Sequence, residues 1–492
     1  MQMFALDKLK DWIHHSGRAS KQPGPSKRKG VAKIAPIEAL GLPPPKRMSV
    51  RDFAIYLLQA GAEIEHSLLV QYLYAAYSVD ERADSDTSNI GLQWKTHIRL
   101  VAREEMTHLA TVQNLLLSLK TGQIYLDRGP ISKNVQTLPL PFQLEPLSQR
   151  SLGKYVLFES PAHSLLPPEA FELVRSIEKS LGSESRVLSV GSIYAALYWV
   201  FLQSDDPGDD WPFAPENVAE FLGTYGTGYH LKDSDFTDIA AYRERAAEPD
   251  EWGVYEQETH VDSASPRGTA LASLRWIMAQ GEGPNVIEES HFYRFVEMYQ
   301  KFKELGQKSP ILPVPTNPQV HSSTHGPIIK NKVSKLWAEL GNSRYQLLIL
   351  NIYESLNSKR TTATNQRNLF AKWAIAEMEL LKKIGQMLPR MFLVRSPEKT
   401  AGAVFKEVVL SRTQSGRDLC RQQLLNDSDA WISEIDKLLN PKPTVRKPKK
   451  AGLKVPLHTE DPTTAGLEGS LLDAVARQND EMRDALRQLE AC

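Results

Sequence analysis

Cysteine is nearly absent from this chain. Its 492 residues include only Cys420 and Cys492. One pair so far apart cannot build a disulfide framework, and it cannot supply the ligands of a cysteine-based zinc or iron–sulfur site within one chain. If the protein binds a metal, we therefore expect the ligands to be carboxylates and imidazoles.

An excess of one charge is also missing, as are long apolar runs. Lys and Arg number 59, Asp and Glu number 59, and the net charge is +0. A protein that coats nucleic acid carries a large basic excess, so we do not expect a nucleic-acid partner. No run reaches the roughly 18–20 apolar residues that span a bilayer. The opening MQMFALDKLKDWIHHSG does not resemble a signal peptide, so we expect a cytoplasmic protein without a transmembrane segment.

Helical periodicity dominates the remainder and predicts an all-α fold. The pattern predicts helices at 51–78, 94–120, 186–203, 265–280, 286–305, 327–358, 364–390 and 467–489, and one or two helices over 401–439. Residues 123–168 would form long connections or a short ribbon. Composition divides the chain into a basic, Pro-rich arm with a short amphipathic helix (1–48), a bundle (49–310), a helical second half (311–440), and a basic linker with a C-terminal amphipathic helix (441–492). The terminal helices would suit a protein partner, and the helix of the arm would also suit a membrane surface. The arm is more simply explained as a disordered extension whose first turns dock on the body.

Two matching Glu-x-x-His motifs carry the chemistry. Glu105 precedes His108 by three residues, and Glu288 precedes His291 by the same spacing. Residues three apart project from one face of a helix, so each motif directs a carboxylate and an imidazole to one point. Di-iron and di-manganese bundles are built from two such motifs and one further Glu from each of two other helices. A structural ion-pair network in the bundle core is the alternative.

Glu65 is the candidate for one of those further carboxylates. It lies in a helical pattern beside Ile64, Leu68 and Leu69, which must face the core. A carboxylate among such residues is costly unless it is paired or bound to a metal. By contrast, Glu63 should face elsewhere on the helix.

Longer phrases around these residues resemble the ferritin-like family, and in particular its iminophenyl-pyruvate dimer synthase branch with the chromopyrrolic-acid-forming enzymes. The phrases are AEIEHSLLVQYLYAAYS, REEMTHLATVQNLL, IMAQGEGP, SHFYRF and AIAEMELLKKIGQML. The resemblance covers roughly 49–415. It implies a ferritin-like four-helix bundle with long loop insertions and a second helical region packed on it.

The resemblance also implies site residues. The metal ligands would be Glu65, Glu105, His108, Glu288 and His291. The catalytic candidates are Tyr72, beside the metal, and Glu282, which lies in a Gly-Glu-Gly helix break and could be a ligand or an acid. The implied cofactor is iron, as a pair or a single ion, with haem as the alternative.

One position departs from the family pattern. The third helix of the family carries a Glu in a Gly-Glu-aromatic-Tyr phrase, and Ser192 stands there in this chain. Three readings follow: Glu282 replaces the missing carboxylate, the site holds one metal, or the site is no longer catalytic.

Neighbouring polar residues are more simply explained by structure than by function. The pattern places Glu104 and Glu289 on exposed helix faces, and it predicts that His66 and His97 are solvated or capping histidines.

The motifs and the resemblance together predict an iron-dependent oxidoreductase that acts with O₂ or peroxide. The resemblance alone implies the substrate class, a small amino-acid-derived metabolite of specialised metabolism. The first alternative is an oxidative coupling enzyme of the dimer synthase type, which could use haem. The second is a non-catalytic helical scaffold whose metal site has decayed and which binds a protein partner.

Overall fold

The computed structural model describes most of the chain between the two terminal segments. The described residues are 44, 47–82, 88–128, 142–161, 166–182, 190–208, 211–213, 217–252, 266–281, 290–321, 326–360, 366–394, 399–440 and 462–490. The predicted arm is almost entirely outside them, and so is most of the predicted basic linker.

The described residues are almost entirely helical and contain no β-strand, only isolated bridges. This confirms the predicted all-α class. The helices are α1 Val50–Tyr77, α2 Ser88–Ser118, α3 Gln149–Phe158, α4 Pro168–Leu181, α5 Val190–Phe201, α6 Asn217–Tyr225, α7 Ile239–Arg243, α8 Pro266–Gln280, α9 His291–Leu305, α10 Lys332–Asn357, α11 Gln366–Met387, α12 Gln414–Leu439 and α13 Pro462–Glu490.

Helix α1 is the central element of the first half. Ser49 caps it, because its Oγ accepts a hydrogen bond from the backbone N–H of Asp52 at 3.1 Å. Most of α1 is buried, with Leu58, Ile64 and Leu68 at the protein core. Burying such side chains stabilises the fold by roughly 1.5–3 kcal/mol each. A helix buried nearly all round must have neighbours on several sides.

Two of the four positions in this bundle are each occupied by two shorter helices. α1 packs along α2, and these two form one side. α3 pairs with α9, α5 pairs with α8, and α2 contacts both α8 and α9. The third position thus comprises α3 and α5, and the fourth comprises α8 and α9. Because the third and fourth positions are each divided into two helices, helix ends lie inside the bundle. A side chain at such an end can point toward the centre of the bundle.

The second half consists of α10 to α13. α10 packs on α11 and α12, and α13 packs on α11 and α12. This region lies against the first bundle through α11, which contacts α1. One direct link is Tyr345, whose hydroxyl donates to His66 Nε2 at 2.7 Å. The predicted second helical region packed on the bundle is therefore confirmed.

The predicted helices correspond to observed ones, with shifted ends, but the connection predicted over 123–168 is partly wrong. Residues Gln149–Phe158 form α3, capped by Ser148 in a reciprocal arrangement with Ser151. Prolines on either side concealed this short helix, since they remove the longer periodic pattern. None of the described helices combines the length and the apolar character that crossing a membrane requires.

Candidate metal centre

Five buried side chains from four helices meet inside the first bundle. Glu65 comes from α1, Glu105 and His108 from α2, and His291 is the first residue of α9. Glu159 immediately follows α3, where it is the C-terminal capping residue. None of the five is more than 2% exposed. Such burial is costly for carboxylates that lack a positive partner.

The side chains form two groups of three. In the first group, which we call the His108 position, the ligand-type atoms of Glu65, Glu105 and His108 lie within 4.8 Å of one another. His108 Nδ1 is 3.0 Å from Glu105 Oε2 and 3.5 Å from Glu65 Oε2. One imidazole nitrogen and two carboxylate oxygens therefore face a common point.

The second group, the His291 position, repeats this arrangement with Glu105, Glu159 and His291. His291 Nδ1 is 3.1 Å from Glu105 Oε1 and 3.3 Å from Glu159 Oε2. Glu105 belongs to both groups and directs a different oxygen to each. A carboxylate placed in this way can bridge two cations.

Tyrosines hold the outer oxygens of the two unshared carboxylates. The Tyr194 hydroxyl donates to Glu65 Oε1, and the Tyr72 hydroxyl donates to Glu159 Oε1. Each carboxylate thereby keeps its Oε2 for the centre. Tyr72 also packs against Phe295 with ring centroids 5.0 Å apart, and both side chains are fully buried.

The outer nitrogens of the histidines are held as well. His108 Nε2 donates to Gln280 Oε1 at 2.8 Å, and His291 Nε2 donates to Glu104 Oε2 at 3.1 Å. With Nε2 held as a donor, Nδ1 is the nitrogen that would give up its proton and bind a metal. Metal-binding histidines commonly have such a partner on the second nitrogen, which fixes both the tautomer and the ring.

The protonation of the side chains shows how strongly these charges interact. Burial, together with the charges of Glu159 and Glu65, raises the pKa of Glu105 to about 8. Burial acts to lower the pKa of His108 and of His291, but the surrounding carboxylates outweigh it and hold both well above the ordinary value. The two imidazoles are thus the positive charge nearest to the three carboxylates. A divalent cation would supply more and would favour the ionised form of Glu105.

The donor set fits iron or manganese. Carboxylate oxygens with one imidazole per position are typical of non-haem iron and manganese sites in helical bundles. Glu105 Oε1 supports the fit, because it is buried and makes no hydrogen bond of good geometry. Its nearest partner is His291 Nδ1 at 3.1 Å, and a cation between these two atoms would replace the imidazole proton.

Four of the five predicted ligands are brought together: Glu65, Glu105, His108 and His291. Glu288 lies outside the described residues, as does the catalytic candidate Glu282. The metal roles of all these residues remain predictions. Tyr72 reaches the centre through Glu159, which makes it a positioning residue in this geometry.

Sequence reasoning missed Glu159. The family pattern places the third carboxylate on the helix of Ser192. That helix, α5, contributes Tyr194 to the centre instead, and the carboxylate of Glu159 comes from the end of α3. The available signal was Glu159 at the end of the short apolar phrase YVLFE.

Two further expectations are wrong. Glu104 is buried beside His291 rather than exposed, because α9 packs against that face of α2. His66 is buried and not solvated: its Nδ1 donates to the Leu126 carbonyl at 3.0 Å, and burial lowers its pKa to about 3. Glu63 does face elsewhere, toward the Tyr125 hydroxyl, and His97 is exposed.

The part of the chain that contains the centre is similar to a known family. Residues 58–300 match the model of the family described as Ferritin-like. That range includes every residue of both triads. No solved structure matches the chain.

Two curated relatives are enzymes by name. The 2-imino-3-(indol-3-yl)propanoate dimerase of Chromobacterium violaceum is 24% identical over 295 residues, which cover 54% of this chain and 25% of the relative. The dichlorochromopyrrolate synthase of Lentzea aerocolonigenes is 24% identical over 341 residues, covering 61% and 31%. The matched part is thus about a quarter to a third of the length of these relatives.

Proposed function

We propose that this chain, whose residues 58–300 belong to the ferritin-like family, is an oxidoreductase that uses a pair of iron ions. The observation that carries the proposal is Glu105, which presents one oxygen to each of two buried triads. A structural ion-pair network does not need a carboxylate that is shared in this way.

In this proposal each side chain of the two triads has a role. Glu65 and His108 would hold one ion, Glu159 and His291 the other, and Glu105 would bridge them. Bound iron would supply the redox chemistry that uses O₂ or peroxide to remove electrons from an organic substrate. The chain itself fixes the carboxylates through Tyr72 and Tyr194 and keeps bulk water out by burial.

The relatives suggest the substrate class. One is named as a dimerase of an indolyl imino acid, and the other as the synthase of a chromopyrrolate. We infer an oxidative coupling in which two imino acids from an aromatic amino acid each lose a hydrogen atom and form one carbon–carbon bond. The two electrons and two protons reduce peroxide to two waters, or O₂ to peroxide.

Glu159 argues against the scaffold alternative. That alternative was drawn from the missing carboxylate at Ser192, and Glu159 brings a carboxylate from another helix beside Glu105 and His291. Nothing in the described residues favours haem over a carboxylate-bound pair of ions.

The test is product formation by the iron-loaded protein. L-Tryptophan and an amino-acid oxidase would generate the imino acid and peroxide in place, and mass spectrometry would detect the coupled product. We expect coupling with the wild type and with Glu63→Gln, a change in a buried carboxylate outside the centre, but not with Glu105→Gln. Equal coupling by all three proteins, or a Soret band in the active protein, would contradict the proposal.

A further inference from the structure

The two halves of the centre share their donor types, an imidazole and a carboxylate held by a tyrosine, but they differ at the outer nitrogens of the histidines. His291 Nε2 faces the carboxylate of Glu104, whereas His108 Nε2 faces the amide of Gln280. The acceptors are similar in size and distance. They differ by one unit of charge, because a glutamate is ionised where a glutamine is neutral.

This charge difference is not averaged out by solvent. Glu104 and Gln280 are 9% and 8% exposed, so screening by water is weak. Glu104 is also fixed in place by Arg294, whose Nη1 donates to the same Oε2 at 2.8 Å. Arg294 lies one turn after His291 on α9, and the ion pair therefore fastens the carboxylate to the helix that carries the histidine.

We propose that Glu104 and Gln280 make the two metal positions unequal, with the His291 position binding a divalent cation first and more tightly. This inference rests on the proposed two-metal centre. A negative acceptor draws the Nε2 proton and increases the electron density at Nδ1, which makes the imidazole a stronger ligand. A neutral amide increases the electron density at Nδ1 less than a carboxylate does.

Arg294 offsets part of the charge of Glu104, because its Nη1 contacts the same Oε2 that faces His291 Nε2. Its side chain is partly exposed, so water screens part of its own charge, whereas Gln280 brings no charge at all to the other position. The role of Arg294 is to hold Glu104 in place. The His108 position would then be the one that loses its ion first to a chelator.

Loss of an outer partner of this kind typically weakens metal binding by about 10–100-fold. We therefore expect a titration of the metal-free protein with Co²⁺, followed by absorption spectroscopy, to show two steps whose affinities differ by about tenfold or more. Glu104→Gln should bring the steps together. The double exchange Glu104→Gln with Gln280→Glu should restore two steps in reversed order.

Anomalous diffraction from crystals holding one equivalent of Co²⁺ identifies the position that fills first. We expect the peak beside His291 in the wild type and beside His108 in the double exchange.

Gln280→Glu alone leaves Glu104 intact and provides a second test if Glu104→Gln does not fold. This variant should bind the second ion, the weaker one in the wild type, more tightly. Two equal steps in the wild type, or a ratio that Glu104→Gln leaves unchanged, would overturn this inference alone. Binding of no metal would overturn the two-metal proposal as well.

Discussion

Both helical halves of this protein bury carboxylates, but they neutralise them differently. In the second half, Glu377 on α11 accepts from Arg344 Nη1 on α10 at 3.2 Å, and both side chains are 0% exposed. In the first half, Glu105 is equally enclosed but is shared between two histidine-containing triads. One buried carboxylate has a cation that is part of the chain, and the other lies where an exchangeable cation would fit.

The two halves differ in whether the cation that neutralises the buried carboxylate can leave. An arginine cannot leave, so a buried Arg–Glu pair contributes to structure at all times. Glu354 follows the same rule, since Arg417 Nε donates to it at 2.7 Å. Imidazoles are weaker and titratable partners, and a group of three carboxylates with two of them is suited to bind and release metal ions.

The sharpest test of the contrast is Glu105→Gln. This change removes the shared charge without changing the shape of the side chain. Both positions should lose affinity by more than the roughly 10–100-fold that loss of an outer partner costs. Metal analysis after dialysis should fall from about two ions per chain to nearly none.

The matched control for that experiment is Glu63→Gln. Glu63 lies on α1 and accepts from the Tyr125 hydroxyl, away from both triads. Its metal content should equal that of the wild type. A similar loss in both variants would show that the effect is a general disturbance of the bundle.

In the second half, Arg344→Met should destabilise the fold without affecting metal content. It leaves Glu377 buried without its cation, which costs about 3–5 kcal/mol. Urea unfolding at a fixed metal concentration measures the change. The double variant Arg344→Met with Glu377→Leu should recover most of the loss, and failure to recover would show that the pair does more than neutralise charge.

Tyr72→Phe tests a smaller contribution in the first half. The change removes the hydroxyl that donates to Glu159 and keeps the ring contact with Phe295. We expect about tenfold weaker metal binding at the His291 position, measured by competition with a chelator. Tyr194→Phe should weaken the His108 position by a similar factor, since its hydroxyl serves Glu65.

The smallest expected effect is a change in the free energy of unfolding with pH, caused by Glu377 in the second half. Burial raises the pKa of Glu377 to about 7, although Arg344 opposes the shift. A carboxyl in the unfolded chain titrates near about 4.3. The folded state therefore holds this proton more tightly, and its contribution to stability is lost as the pH rises from about 4 through about 7.

Unfolding of the metal-free protein at several pH values checks this. The difference in unfolding free energy between the wild type and the Arg344→Met, Glu377→Leu variant should decrease over that range. A constant difference would mean that Glu377 does not titrate there.

Periodicity was sufficient to predict the long helices. The burial of Leu58, Ile64 and Leu68 follows from their spacing. Ser49 caps α1 because its side-chain oxygen stands directly before the periodic segment. Periodicity was insufficient for α3, because a ten-residue helix between proline-rich connections repeats its apolar face too few times to be recognised.

For the centre, two Glu-x-x-His motifs indicated His108 and His291, since spacing along one helix decides which side chains share a face. Glu159 and Glu104 could not be found in this way. Each acquires its role from the packing of a separate helix: α3 directs Glu159 inward, and α9 covers Glu104 on α2. Long-range packing of this kind leaves no local pattern in the sequence.

The central claim is that one carboxylate serves two metal ions. Anomalous diffraction at the iron edge from crystals of the iron-loaded protein tests it most directly. We expect two peaks about 3.5–4 Å apart, one beside His108 and one beside His291, with the Glu105 carboxylate between them. A single peak, or two peaks that leave Glu105 bound through one oxygen only, would contradict it.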